Sequence, residues 1–105
     1  MSPPQDTDPA IRQHEELLAR DPNDAVAHFN LALLYKRAGR HDDAVASYRR
    51  AIDLDIDDVQ EVYSNLGVLY SEMRQPALAR EAYEKSLSIE PGQEPIRRRL
   101  SEIGG

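Results

Sequence analysis

The chain has 105 residues, 40% of them apolar and 30% charged, which suits one small helical domain or a short repeat array and lies well short of a disordered composition. Nineteen acidic against thirteen basic residues leave a formal net charge of -6, and this disfavours a general nucleic-acid role, because phosphate binding rests on a basic footprint. Cysteine is absent, which excludes a disulfide framework, a thiolate metal site and a thiol nucleophile.

The opening MSPPQDTDPA has no basic segment followed by an apolar one, so residues 1–7 read as a disordered tail rather than a secretory signal. The longest apolar run, LALLY at 31–35, is far too short to span a bilayer, and a soluble cytoplasmic protein is the expectation. Asp8 and Pro9 then read as the cap and first turn of a helix to about Arg20. A second helix runs from about Asn23 to Arg37, opened by Asn23 or Asp24 and closed at Gly39, a residue suited to a left-handed C-terminal cap. Leu31, Leu34, Tyr35 and Ala38 keep the spacing of one buried face along it. The third helix spans about His41 to Leu54, with Asp42 and Asp43 in its first turn and Arg49 and Arg50 nearer its end, as the helix dipole favours. The fourth opens at Asp58, which with Glu61 three residues on has the form of a capping box. It closes at Arg74, where a left-handed conformation costs about 1 kcal/mol more than it does for glycine. Pro76 suits the first position of the fifth helix, and EPIRRRLSEI, from Glu94 to Ile103, forms the sixth.

These elements repeat. NLALLYKRAG at 30–39 returns as NLGVLYSEMR at 65–74, and a shift of 35 places Asn30, Leu31, Leu34 and Tyr35 on Asn65, Leu66, Leu69 and Tyr70. The register continues through Ala44 on Ala79, Tyr48 on Tyr83 and Ala51 on Ser86. A shift of 34 sets Ala10, His14, Leu17 and Pro22 against Ala44, Tyr48, Ala51 and Ile56. Leu100 takes the place of Leu31 and Leu66 in a terminal helix whose other faces are polar, as an end helix requires.

The units resemble the tetratricopeptide repeat, a helix-turn-helix with the pattern W-x2-L-G-x2-Y, then A-x3-F, then P. Unit two carries Tyr63, Leu66, Gly67, Tyr70, Ala79, Tyr83 and Pro91 at matching spacing; unit one carries His28, Leu31, Ala32, Tyr35, Ala44, Tyr48 and Ala51, with Ile56 in place of the proline. Ile56 and one extra residue in the 53–60 segment depart from the pattern. The resemblance implies an all-α helix-turn-helix solenoid of about six antiparallel helices in a right-handed superhelix. Small residues at Ala32, Gly67, Ala44 and Ala79 would let paired helices approach, and aromatics would fill the space between units. The single domain spans 8–103, divided into a half repeat at 8–22, repeats at 23–57 and 58–92 and a capping helix at 93–103.

Catalytic signals are sparse. His14 and His28 stand at aromatic positions of the repeat, where core packing accounts for them, and His41 opens a helix. No two lie at the i, i+4 spacing of a helical metal pair. DLDIDD at 53–58 alternates acids like a calcium loop but has Asp58 and Ser64 where glycine and glutamate are required. No phosphate-cradling glycine loop or G-x-S-x-G occurs, so no enzyme activity and no cofactor are expected.

In tetratricopeptide proteins the first helix of each pair lines a concave groove, and the resemblance implies that a peptide or helix of another protein binds there, with no nucleic acid or membrane partner. The groove residues would be Val26, Phe29, Asn30, Leu33, Lys36 and Arg37 in unit one, Glu61, Ser64, Asn65, Val68, Ser71 and Glu72 in unit two, and Arg98 and Arg99 in the last helix. Phe29 and Leu33 would make an apolar strip, with Phe29 packed against the N-terminal helix as the alternative. Mid-helix asparagine is a poor helix former, and the amides of Asn30 and Asn65 suit an extended backbone. A two-carboxylate clamp for chaperone tails is known in the family; only Asn65 and Arg99 match it, while Phe29, Leu33 and Pro95 replace its other members, so no chaperone-tail binding is expected. Two alternatives stand beside the adaptor: a self-associating homo-oligomer that covers the half units, and the N-terminal repeat segment of a larger enzyme. Residues 61–91 resemble, loosely, the repeat segments that precede a sulfotransferase domain in some bacterial proteins.

Overall fold

A computed structural model describes residues 8–104, so the tail assigned to residues 1–7 lies outside the described residues. Among them are six α-helices and no strand: α1 (Pro9–Arg20), α2 (Ala25–Arg37), α3 (His41–Asp53), α4 (Val59–Glu72), α5 (Pro76–Ile89) and α6 (Glu94–Gly104). Among the described residues no helix is long and apolar enough to cross a membrane. The chain divides into two compact units, Met1–Ile56 with α1 to α3 and Asp57–Gly105 with α4 to α6.

In the first unit α2 pairs with α3, and α1 packs on α2. The pairing face is made by Leu31, Ala32 and Tyr35 of α2 and by Ala44, Tyr48 and Ala51 of α3, all buried. Ile11 and Leu18 of α1 are buried as well. The second unit repeats this pairing in α4 and α5, with α6 packed on α5. Leu66, Gly67 and Tyr70 face Ala79, Tyr83 and Ser86, and Ile96 of α6 is buried beside them. A methyl group on Gly67 would overlap the Tyr83 ring, so the bare α4 backbone rests on that ring. Tyr48 meets the Phe29 ring at 5.9 Å between centroids. Tyr48 and Tyr83 thus each pack inside their own helix pair.

The helix ends explain the short turns. Asp8 and Asp24 are extended at the N-caps, and their carboxylates accept from Ala10 and Ile11 and from Ala27 respectively. Three C-termini close in the same way. After α2, the Arg40 N–H donates to the Tyr35 carbonyl and Gly39 to Lys36; after α4, Gln75 donates to Tyr70 and Arg74 to Ser71; after α3, Ile56 donates to Ala51 and Asp55 to Ile52. This Schellman pattern needs a left-handed residue, and Gly39, Arg74 and Asp55 take φ of 80°, 60° and 58°. Arg40 and Gln75 serve twice, since each is also the N-cap of the next helix. Three residues therefore reverse the chain inside each pair.

The extra residue of the 53–60 segment lies in a longer connection. Residues 54–58 join α3 to α4, whereas four residues, 21–24 and 90–93, suffice at the other two junctions. The capping box expected at Asp58 does not form: Asp58 is itself left-handed, at φ 55° and ψ 43°, with no side-chain cap bond. That conformation carries the carboxylate away from the first turn, and the Glu61 N–H donates to the Asp58 carbonyl instead, at 2.9 Å.

Because Arg74 holds a conformation that glycine adopts freely, Arg74→Gly is expected to stabilise the protein by about 1 kcal/mol, while Gly39→Ala loses about 1 kcal/mol; urea unfolding midpoints measure both. Leu66→Ala removes a buried pairing side chain and is expected to cost about 2–5 kcal/mol in the same assay.

Candidate functional site

Helix α2 buries the face that carries Leu31, Ala32 and Tyr35, and this rotation sends the intervening residues outward. Asn30, Leu33 and Arg37 are exposed, as is Val26, while Phe29 and Lys36 are half-buried. Phe29 spends part of its surface on Tyr48 of α3. Helix α4 behaves alike. Glu61, Ser71 and Glu72 are exposed, and Ser64, Asn65 and Val68 are half-buried beside the buried Val62, Leu66 and Leu69. The Ser64 hydroxyl donates back to the Glu61 carbonyl at 3.0 Å. Neither the Asn30 nor the Asn65 side-chain amide has a hydrogen bond among the described residues, and both keep their donors and acceptor for other uses. Arg98 and Arg99 are exposed on α6 and line an open depression with Pro95 and Glu102. Arg97 is engaged elsewhere: its Nε donates to the Pro91 carbonyl at 2.9 Å.

The histidines differ from the expected core packing. His14 and His28 are half-buried, and their rings bond backbone carbonyls, His14 Nδ1 to Ala10 at 2.8 Å and His28 Nε2 to Pro22 at 2.9 Å. His28 and Arg97 hold the same place in their helices, each bonding a carbonyl six residues earlier. A polar group at that position fastens the preceding turn. No group of three His, Asp or Glu that could hold a metal ion occurs among the described residues.

Two polar networks escaped sequence reading. In the first unit the Tyr35 hydroxyl donates to Glu15 Oε2 at 2.5 Å and so fastens α1 to α2. The Arg40 guanidinium sits over the Tyr35 ring, 4.5 Å from its centroid, and its Nε pairs with Asp43 at 2.9 Å. Burial first, and then the Glu15 carboxylate, push the Tyr35 phenol well above its usual range. In the second unit the buried Ser86 hydroxyl donates to the Gln60 carbonyl at 2.8 Å, and the Gln93 amide donates to Ser86 and to the Glu90 carbonyl. Glu15 and Gln93 each pin a terminal helix to its neighbour. Their partners are far away in sequence or are backbone atoms, so no local pattern announces them.

Comparison with known proteins fits this geometry. Residues 5–59 and 61–93 match two sequence profiles, both described as Tetratricopeptide repeat. The Hsp70-Hsp90 organising protein of Plasmodium falciparum (isolate 3D7) is 31% identical over 102 residues, covering 91% of this chain and 18% of the relative. Small glutamine-rich tetratricopeptide repeat-containing protein 2 of Mycosarcoma maydis is 30% identical over 93 residues, 88% of this chain and 26% of the relative. The chain thus spans about a quarter or less of the length of these curated relatives. Among solved structures, the MamA protein superposes with a TM-score of 0.83 at 28% identity, over 90% of this chain and 51% of that one. The first TPR of Spaghetti (RPAP3), solved with an HSP90 peptide SRMEEVD, superposes with a TM-score of 0.80 over 90% of this chain and 75% of that one; at 24% identity this likeness concerns the fold alone. With two helix pairs built on the repeat's own small and aromatic positions, and with profile matches over most of its length, the chain belongs to the tetratricopeptide repeat family.

Proposed function

We propose that this protein is a non-catalytic interaction module that holds a peptide or helix of another protein on the outward faces of its first helices. In α2 that face comprises Phe29, Asn30, Leu33, Lys36 and Arg37. In α4 it comprises Glu61, Ser64, Asn65, Val68 and Glu72, and the same unit adds Arg98 and Arg99 from α6. The observation that supports this reading most is the pair of asparagines. Asn30 and Asn65 occupy one repeat position, stand in mid-helix where asparagine costs about half a kcal/mol, and leave their amides without hydrogen bonds among the described residues. Neither contributes to the buried pairing face. An amide can donate to and accept from an extended backbone without reading its side chains, which makes Asn30 and Asn65 holding residues. Lys36 and Arg37 differ in charge from Ser71 and Glu72 at matching places, which makes these the selecting residues.

The relatives are named as chaperone-associated or tetratricopeptide proteins, and this supports an interaction module in general terms. The ligand differs from a chaperone tail in this proposal. Phe29, Leu33 and Pro95 stand where the family's carboxylate clamp needs polar groups, and Phe29 is half-buried on Tyr48. A soluble cytoplasmic setting accords with such a module.

Selection of peptides from a random displayed library, followed by fluorescence anisotropy, tests the reading. Asn30→Ala and Asn65→Ala are each expected to weaken a selected peptide about fivefold, the loss of one or two ordinary hydrogen bonds, with far-ultraviolet circular dichroism unchanged. The peptide SRMEEVD is expected to show no saturable binding. Failure to select any peptide, or wild-type affinity in both asparagine variants, would overturn the proposal.

A further inference from the structure

The last turn of a helix is where basic side chains belong, because the free carbonyls there carry partial negative charge. Helices α1, α2 and α3 obey this rule, with Arg20, with Lys36 and Arg37, and with Arg50 respectively. The last turn of α5 is neutral. Helix α4 reverses the rule: its last turn holds no base, and it ends on Glu72, at the place that Arg37 takes in α2. Glu72 is exposed, and its side chain makes no ion pair or hydrogen bond among the described residues, not even with Arg74 two residues on. A negative side chain thus stands at a negative helix end with no cation to offset it. Beside it on the outward face, Ser71 is exposed, and Val68 and Asn65, one and two turns back, are half-buried. The bases of α6 lie elsewhere in the repeat. Arg98 and Arg99 match Ser64 and Asn65, two turns before Glu72, and the acidic Glu102 matches Val68.

We propose that the α4 face takes a basic segment of a partner protein, an extended stretch in which an arginine or lysine lies two residues from a small aliphatic residue. The base sits at the Glu72 carboxylate and the end of α4, the aliphatic side chain covers Val68, and the Asn65 amide bonds the backbone beyond it. The spacing fits. Val68 and Glu72 are four residues apart, about 6 Å along a helix that rises 1.5 Å per residue, and alternate side chains of an extended chain lie about 6.6 Å apart on one face. Arginine suits the place best, because its planar fork of donors can meet a carboxylate and a carbonyl together. The matching face of α2 has Leu33 for Val68 but Arg37 for Glu72, so it repels the base that α4 attracts. This inference rests on the reading that the first helices hold a peptide, and adds the charge that α4 selects.

The test titrates isotope-labelled protein with the acetylated and amidated peptide GSVSRG and with its acidic counterpart GSVSEG, following amide shifts by NMR. GSVSRG is expected to move amides of α4 saturably and to bind at least about fivefold more tightly than GSVSEG. Glu72→Gln is expected to weaken GSVSRG about threefold, the size of an exposed ion pair, and Glu72→Arg to reverse the preference in favour of GSVSEG. Both variants are expected to unfold at urea concentrations no lower than wild type, since Glu72 opposes the helix end it stands on. Absence of saturable shifts with GSVSRG overturns the inference, as does equal affinity for the two peptides or a loss of stability in either variant. Weakened GSVSRG binding in Asn65→Ala, with wild-type affinity in both Glu72 variants, overturns this inference and leaves the peptide-holding face standing. Wild-type affinity in all three variants overturns both.

Discussion

Everything in this protein depends on a second helix laying an aromatic ring against a small residue of the first. Gly67 under Tyr83 shows the constraint in its tightest form, since even a methyl group would meet the ring. Once the backbones are that close, the neighbouring positions follow. Leu66 and Tyr70 on one helix and Ala79 and Ser86 on the other fall into the interface, because residues three, four and seven apart share a face. The first unit reaches the same end with Ala32 and Tyr48, and adds Phe29 at the edge of the ring. An amphipathic helix of about thirteen residues is marginal alone, so the pair is the smallest element that buries its apolar side.

Pairing at short range also dictates the turns. A three-residue reversal leaves no room for a separate cap and linker, so one residue closes the outgoing helix and opens the incoming one, as Arg40 and Gln75 do. The left-handed residue before it is required by the hydrogen-bond pattern, whatever side chain stands there. Glycine at 39 announces that geometry in the sequence. Arginine at 74 was legible only by alignment with Gly39, and Asp55 was not legible, because the segment around it departs from the repeat. Asp58 shows the opposite failure: a residue pattern with the form of a capping box is overridden by a left-handed backbone.

The helices and the buried positions were legible because they follow from periodicity and from comparison of one unit with the other. The polar contacts were not. Tyr35 finds Glu15 twenty residues away, and Ser86 finds a backbone carbonyl of α4, which no spacing rule anticipates. Among the candidate binding residues, position on the outward face could be read from the sequence by subtraction: what the pairing face does not use points out. The state of each side chain could not. Phe29 belongs half to the packing and half to the surface, whereas Asn30, beside it, is exposed.

The helix pair is the stable element, and the end helices are held by fewer contacts. Native-state amide hydrogen exchange in dilute solution tests it directly. Slowest exchange is expected within α2, α3, α4 and α5, with amides of α1 and α6 at least about tenfold less protected, since locally opening segments are those with few buried contacts. Uniform protection across all six helices, or greater protection in α1 than in α3, would contradict the account.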